Sequence, residues 1–175
     1  PSKSLFFKFK NLIFFKFDIF LEREPDKLLF DKLNFTVEKG DKIAIRSKNS
    51  LAVTKLLEIL AEEGEQFNKG DFEWGVTTTK SFLPNENSHY FEGVNLNLVD
   101  WLRQYSEEKD ETFIRGFLGR MLFSGEETLK MCDVLSGGEK VRCLLSKIML
   151  EEGNVLILDE PTSHLDLESI TKLNE

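Results

Sequence analysis

Cysteine and long uninterrupted apolar runs are scarce in this chain of 175 residues, and acidic residues outnumber basic ones. Its two cysteines, Cys132 and Cys143, have neither the spacing of a metal site nor that of a redox pair, which indicates reduced thiols in a cytosolic protein. Lys and Arg number 23 against 31 Asp and Glu, so the net charge is −8. Because contacts to nucleic-acid phosphates depend on Lys and Arg, this balance argues against RNA binding by the chain on its own.

A membrane-spanning segment is also missing from the pattern. The most apolar stretch, residues 5–21, is rich in Phe but is interrupted by lysines and an aspartate. A spanning helix needs about 20 mainly apolar residues, and each charge near its centre costs about 3 kcal/mol. The stretch has no small-residue cleavage site after an apolar core, which disfavours a signal peptide. Alternation over residues 7–10 is typical of a half-buried strand.

Apolar and polar residues follow strand and helix periods through much of the chain. Strands are predicted at residues 33–37, 42–46 and 155–158, with two short strands between 71 and 82. Helices are predicted at residues 51–62, 96–105, 111–123 and 139–150, with a last helix starting near Asp166, a suitable N-cap. The polar loop 47–50 therefore lies between a strand and a helix, the context that a phosphate-binding loop requires.

The strongest functional signal is a pair of acids at the end of the predicted strand 155–158. Asp159 and Glu160 would lie at the carboxyl end of a parallel strand, where open α/β sheets bind ligands. Upstream, Ser136-Gly137-Gly138-Glu139 opens a helix, whose free N–H groups and positive dipole end suit a phosphate. Together they predict a site for a magnesium nucleotide. The alternative is that the acids only end a strand and the Ser-Gly segment only caps a helix.

Two stretches, VLSGGEKVR at 134–142 and NVLILDEPTSHLDLESI at 154–170, resemble the signature loop and Walker B strand of ATP-binding cassette (ABC) ATPases. The HLDLES ending, with LRQYSEEKDETFIRGFLGRMLFSGEE upstream, resembles the ABC-F class, soluble tandem ATPases that act on the ribosome. The resemblance runs from about Lys27 to the end and is closest over 70–175. Within this class, the chain resembles the second cassette of a two-cassette protein more than the first.

This resemblance implies an α/β fold of the P-loop NTPase type, an ABC nucleotide-binding domain with a mixed β core and a helical subdomain. Residues 1–93 and 152–175 would form the ATP-binding core of a single cassette, and residues 94–151 the helical subdomain. The family continues past Glu175, so the cassette would be incomplete at its C-terminus. The resemblance further implies ATP and Mg as cofactors, a second cassette and the ribosome as partners, and a cytoplasmic location.

The resemblance also assigns roles to single residues. Asp159, together with Thr54, would hold Mg, and Glu160 would orient or deprotonate the attacking water, because phosphoryl transfer depends mainly on positioning and charge neutralisation. The signature residues would contact the γ-phosphate of ATP held by the opposite cassette; they are Ser136, Gly137, Gly138 and Glu139. Residues 163–166 match the D-loop, which lies between cassettes in this family.

The phosphate loop is where the sequence departs from the family, which usually reads G-x-N-G-x-G-K-S-T. The aligned residues are Ser47, Lys48, Asn49, Ser50, Leu51, Ala52, Val53 and Thr54. Side chains replace the three glycines and Val53 replaces the phosphate lysine, which restricts the backbone angles that aim N–H groups at a phosphate and removes a charge. We therefore predict negligible ATP hydrolysis by the isolated chain. Three functions stay open: an ABC-F-like ATPase cassette, a nucleotide-defective module that supplies its signature to a partner, and the ATPase subunit of a transporter.

Overall fold

The computed structural model describes residues 17–22, 28–33, 35–63 and 69–174. The predicted strand at residues 7–10 lies outside this part of the chain. The described residues form two compact units: a first unit up to Ser81 together with Gly153–Asp159, and a second unit of Phe82–Glu152 with the segment that follows from Glu160.

The first unit opens with an antiparallel sheet of three strands. These are β1 (Phe17–Glu22), β2 (Leu28–Leu33) and β3 (Lys69–Phe72), in the order β2-β1-β3. Strand β1 is central because it pairs with both neighbours, with Ile19 opposite Leu33 on one side and opposite Gly70 on the other.

Helix α1 (Ser50–Ala61) follows in the same unit and buries one face. Its apolar stripe, Ala52, Leu56, Ile59 and Leu60, has the i, i+4, i+7, i+8 spacing of a helix that packs on a core. The helix ends at Glu62, which adopts a left-handed conformation with φ 60°. An ion pair between Glu62 and Lys80, 2.5 Å long, holds this end.

Strand β5 (Val155–Leu158) pairs with β4 (Lys80–Leu83), which begins in the first unit. The amide of Val155 donates to the carbonyl of Thr79 at 3.0 Å, and both residues stand at the start of their strands, so the two strands run parallel. Close approach requires glycine just before β5, because a Cβ at Gly153 would lie 2.4 Å from Ser81 Oγ and 3.0 Å from its amide nitrogen. Asp159 and Glu160 therefore follow the carboxyl end of a strand that lies parallel to its neighbour.

The second unit is mainly helical. Its helices are α2 (Leu98–Arg103), α3 (Glu111–Arg120), α4 (Gly137–Glu151) and α5 (Leu167–Asn174), joined by short 3-10 turns. Its core surrounds Trp101, which is fully buried and stacks on Phe91 with ring centroids 4.9 Å apart. Burying a large apolar side chain contributes about 1.5–3 kcal/mol, so both rings stabilise the unit.

Most of the predicted elements are confirmed: the helices at 51–62, 96–105, 111–123 and 139–150, the strand at 155–158, the two short strands and the helix capped by Asp166. The strands predicted at 33–37 and 42–46 are wrong. Strand β2 ends at Leu33, and residues 41–47 form no strand. A strand needs a neighbouring ladder as well as an apolar pattern, and Ile43 is 52% exposed instead of buried against one. The described helices are too short or too polar to cross a bilayer.

Candidate functional site

The end of β5 and the start of α1 meet in the first unit. Asp159 follows β5 directly and is 3% exposed. Its Oδ2 accepts a hydrogen bond of 2.7 Å from Thr54 Oγ1 on α1. The structure thus brings together the two residues that the sequence predicts on the metal side of the site.

A divalent metal would find few protein ligands here. Among the described residues no cluster of three or more Asp, Glu, His or Cys side chains could hold a metal. Mg is commonly bound through one or two protein oxygens and several waters. The pair Asp159 and Thr54 fits that mode, whereas it would not fit a metal that needs a full protein cage.

Glu160, the predicted catalytic acid, begins the turn after β5. It is exposed and has φ 46°, in the left-handed region that residues other than glycine rarely adopt. Its carbonyl accepts a hydrogen bond of 3.0 Å from the amide of Ser163. A tight turn of this kind costs about 1–3 kcal/mol and persists only where the surroundings impose it.

The predicted phosphate loop has a different form from a loop that wraps an anion. Helix α1 already begins at Ser50, and Asn49 is its N-cap. The Asn49 side chain accepts from the amide of Ala52 at 3.4 Å, and Ser47 Oγ accepts from the amide of Asn49 at 3.1 Å. The segment 47–54 is therefore a capped helix start.

In the second unit, the predicted signature forms the capped start of α4. Ser136 and Glu139 exchange hydrogen bonds in a capping box: Ser136 Oγ accepts from the Glu139 amide, and a Glu139 carboxylate oxygen accepts from the Ser136 amide at 2.8 Å. Lys130 Nζ lies 2.6 Å from the other carboxylate oxygen. Partial burial opposes ionisation of Glu139, but the hydrogen bonds from Lys130 and Ser136 outweigh it and lower its pKa to about 2. This start of α4 is charged and locally ordered.

The signature lies against residues 163–166, the segment that resembles a D-loop. A Cβ at Gly138 would lie 2.7 Å from the backbone oxygen of His164, so glycine is required there. A Cβ at Gly137 would meet only the His164 ring, at 3.8 Å, so Gly137 keeps an open face. Between these segments lies a cleft of about 230 Å³, also lined by Arg142 and Asp166. Asp166 caps α5 by accepting from the Ser169 amide at 2.7 Å, and that bond lowers its pKa.

Sequence reasoning gave no role to Arg142, although it belongs to the signature stretch. Its guanidinium donates to the carbonyls of Met121 and Leu122, each at 3.1 Å, and lies over the Phe123 ring. Leu122 has φ 64°, an uncommon conformation that these bonds help to fix. The sequence signal for Arg142 is its charge three positions after the capping Glu139. That signal does not identify its hydrogen-bond partners, because they are distant in the sequence.

Comparisons with known proteins place this geometry in a family. Residues 30–163 match the family described as ABC transporter. The chain is 60% identical over 147 residues to the uncharacterized ABC transporter ATP-binding protein YkpA of Bacillus subtilis, covering 83% of this chain and 27% of that protein. It is 33% identical to ABC transporter F family member 5 of Arabidopsis thaliana, covering 86% of this chain and 22% of that protein. It is also 33% identical to the ribosome protection protein VmlR of B. subtilis, covering 86% of this chain and 26% of that protein. The chain thus spans about a quarter of the length of these relatives.

Solved structures share the fold. A putative ABC transporter ATP-binding protein from Pyrococcus furiosus superposes with a TM-score of 0.71 at 21% identity, covering 92% of this chain and 82% of that one. A dimeric ATP-binding cassette in a post-hydrolysis state with ADP and phosphate superposes with a TM-score of 0.69 at 13% identity, covering 91% of this chain and 79% of that one. The chain therefore belongs to the ABC transporter ATP-binding domain family and has its P-loop NTPase-like α/β fold.

Proposed function

We propose that this chain is the second cassette of a soluble, cytoplasmic ABC-F-like protein, in which ATP-driven closure of two cassettes is coupled to the ribosome. The observation that carries the proposal is the capped start of α4 with an open glycine face, because it is the part of the site whose geometry suits a phosphate. Similarity to an F family member and to a ribosome protection protein favours the ABC-F class. So does the HLDLES segment at residues 164–169.

The signature suits ATP that is bound by a partner cassette. The first N–H groups of a helix have no partner inside the helix and carry the positive end of its dipole. Gly137 and Gly138 present those groups without a Cβ above them, and Gly137 is exposed. Bound ATP supplies the phosphoryl group, and the role of this chain would be to donate hydrogen bonds to its γ-phosphate across the interface.

The acid pair has a defined place in the proposal. Asp159 and Thr54 would hold Mg, and Glu160 would orient water, provided that residues 47–54 hold the phosphates of a nucleotide. The capped helix start at Ser50 does not fit that requirement, so we derive no hydrolytic step at this chain's own loop. The proposed contribution of this cassette is made through its signature.

The experiment uses the full-length two-cassette parent with a fluorescent label on each cassette. Gly137→Asp places bulk and a negative charge beside the γ-phosphate, so ATP-dependent shortening of the distance between labels should be lost. Gly119→Asp is a matched control, because Gly119 lies on the exposed side of α3 with nothing within 4 Å of an added Cβ. Closure that survives Gly137→Asp would leave residues 136–138 as an ordinary helix cap.

Ribosome coupling is tested separately by sedimentation of the parent with ribosomes, with and without Mg-ATP. We expect ATP-dependent co-sedimentation that Gly137→Asp abolishes and Gly119→Asp retains. A transporter ATPase, the function suggested by the family's description, would instead be recovered with membranes and not with ribosomes. That result would refute the ribosomal part of the proposal.

A further inference from the structure

Residues 47–54 align with the phosphate loop of the family, but residues 50–54 of this segment belong to a helix. Helix α1 begins at Ser50, so the residues at the positions of the last two glycines and the lysine lie in its first turn. A phosphate loop instead curls around the anion so that successive backbone N–H groups point inward. A helix start can meet one phosphate end-on, as proposed for α4, but its N–H groups point along the axis and do not surround the phosphate chain of a nucleotide.

The position of Ala52 explains why the helix begins early. Ala52 stands where the family has a glycine facing the phosphates, yet it is 2% exposed. It is the first member of the buried stripe that continues through Leu56 and Ile59. Unwinding this turn into a loop would expose Ala52 and remove the start of the stripe from the core.

Side chains of the segment itself take up hydrogen-bonding groups that a phosphate would use. Asn49 accepts from the amide of Ala52, and Ser47 accepts from the amide of Asn49. N-caps of this kind contribute about 1 kcal/mol to a helix. Side chains of the segment therefore satisfy two of its own backbone amides.

The positive charge of the motif is also missing from its place. Val53 is half-buried and apolar where a lysine would reach the phosphates. The nearby Lys55 lies one turn into the helix and forms an ion pair with Glu58. Lys48 is exposed and precedes the N-cap, outside the position from which the family's lysine acts.

The two metal-side residues, Thr54 and Asp159, are hydrogen-bonded to each other. The bond of 2.7 Å from Thr54 Oγ1 to Asp159 Oδ2 links α1 to the end of β5. A bond to a charged group contributes about 1.5–3 kcal/mol. This bond therefore fastens the helical segment at the start of α1 to the end of β5.

From these observations we infer that the segment 47–54 holds no nucleoside triphosphate, so that the two-cassette parent binds ATP at one composite site only. That site joins the phosphate loop of the other cassette to the signature of this chain. The inference rests on the proposed function for the identity of the partner. The claim that segment 47–54 binds no nucleotide rests on the geometry of α1 alone. The cassette would then be a fixed half of an asymmetric pair.

The test counts ATP sites on the full-length parent. Equilibrium binding of a non-hydrolysable ATP analogue with Mg should saturate at one molecule per chain, and a photoreactive azido-ATP should label the other cassette. Saturation at two, or labelled peptides from this cassette, would overturn the inference. Saturation at zero would refute the proposed ATP-driven closure, but it would agree with the claim that segment 47–54 binds no nucleotide. The two failures can therefore be told apart.

Variants sharpen the count. Restoring the motif with Ser47→Gly, Ser50→Gly, Ala52→Gly and Val53→Lys should add a second site, with affinity at least tenfold above that of the unmodified loop. Val53→Lys alone is the matched control and should leave the count at one, because Asn49 still caps the helix. A second site created by Val53→Lys alone would show that the helical form of the segment does not exclude the nucleotide, which would overturn the argument from the geometry of α1 and leave the missing charge as its only ground.

Discussion

The starts of α1 and α4 are two versions of one local structure with different surfaces. Both helices begin after a polar N-cap, Asn49 for α1 and Ser136 for α4, whose side-chain oxygen accepts from a backbone amide three residues later. Helix α4 keeps glycine at its first two positions, whereas α1 has Ser50 and Leu51 there. A capped helix start is therefore common to both, and only α4 has a glycine, Gly137, that leaves the backbone open to a ligand.

The two starts also differ in what lies beside them. The start of α1 is fastened to Asp159 by Thr54, a side chain of its own second turn. The start of α4 instead packs against backbone, because the His164 carbonyl oxygen lies only 2.7 Å from the position that a Cβ of Gly138 would take. Glycine thus serves a different purpose at each of the two positions. Gly137 leaves space for a ligand, and Gly138 leaves space for residues 163–166.

The largest effect on local stability is expected from a substitution that tests the packing role of Gly138. Gly138→Ala would place a Cβ 2.7 Å from the His164 carbonyl oxygen, which belongs to backbone and cannot rotate away. Overpacking of this kind costs about 1–3 kcal/mol. We expect hydrogen exchange in the full-length protein to show faster opening of α4 and of the segment after Glu160.

The control for that variant is Gly137→Ala, whose Cβ would make an ordinary contact of 3.8 Å with the His164 ring. Its exchange rates should stay close to those of the unmodified protein, since alanine is also the better helix former. Equal effects of the two substitutions would contradict the distinction between a ligand face and a packing face.

Local and distant contacts explain which parts of this site the sequence could predict. The start of α4 was predictable because Ser136 and Glu139 form their capping box within one turn, and strand 155–158 because its apolar run is unbroken. The contact of Gly138 with His164 joins segments that are distant in the sequence, and no local pattern encodes it. The strand predicted at 42–46 failed for the related reason that pairing depends on another strand.

A middle-sized effect concerns the cap of α1. Asn49→Ala removes the side chain that accepts from the Ala52 amide, and loss of an N-cap costs about 1 kcal/mol. Hydrogen exchange of the first amides of α1 should accelerate about fivefold, which is the factor that about 1 kcal/mol gives at 25 °C. Asn49→Asp keeps an acceptor at this position and should restore slow exchange. Unchanged rates in Asn49→Ala would mean that Thr54 and the buried Ala52 alone hold the start of α1.

The smallest effect is a dependence on pH that, of these two helix starts, only the start of α4 should show. The pKa of Glu139 is lowered from its ordinary value of 4.5 to about 2, because hydrogen bonds from Lys130 and Ser136 outweigh the cost of partial burial. The folded state therefore binds fewer protons than the unfolded state between these values. Its contribution to stability is complete above pH 4.5 and is lost as pH falls from about 4.5 to about 2.

Lys130→Gln tests the source of that dependence. The Lys130 side chain is 40% exposed, so the pair contributes at most about 1 kcal/mol. We expect the substitution to raise the pKa of Glu139 toward its ordinary value, as followed by the carboxyl carbon resonance in NMR, while leaving α4 folded. Glu139→Gln should remove the resonance and with it the acid-dependent loss of protection at the start of α4. Because α1 has no acidic residue in its first turn, its protection should not follow the Glu139 titration. If Lys130→Gln leaves the pKa of Glu139 unchanged, the capping box with Ser136 accounts for the lowered pKa, and the charge at the start of α4 is set within the signature itself.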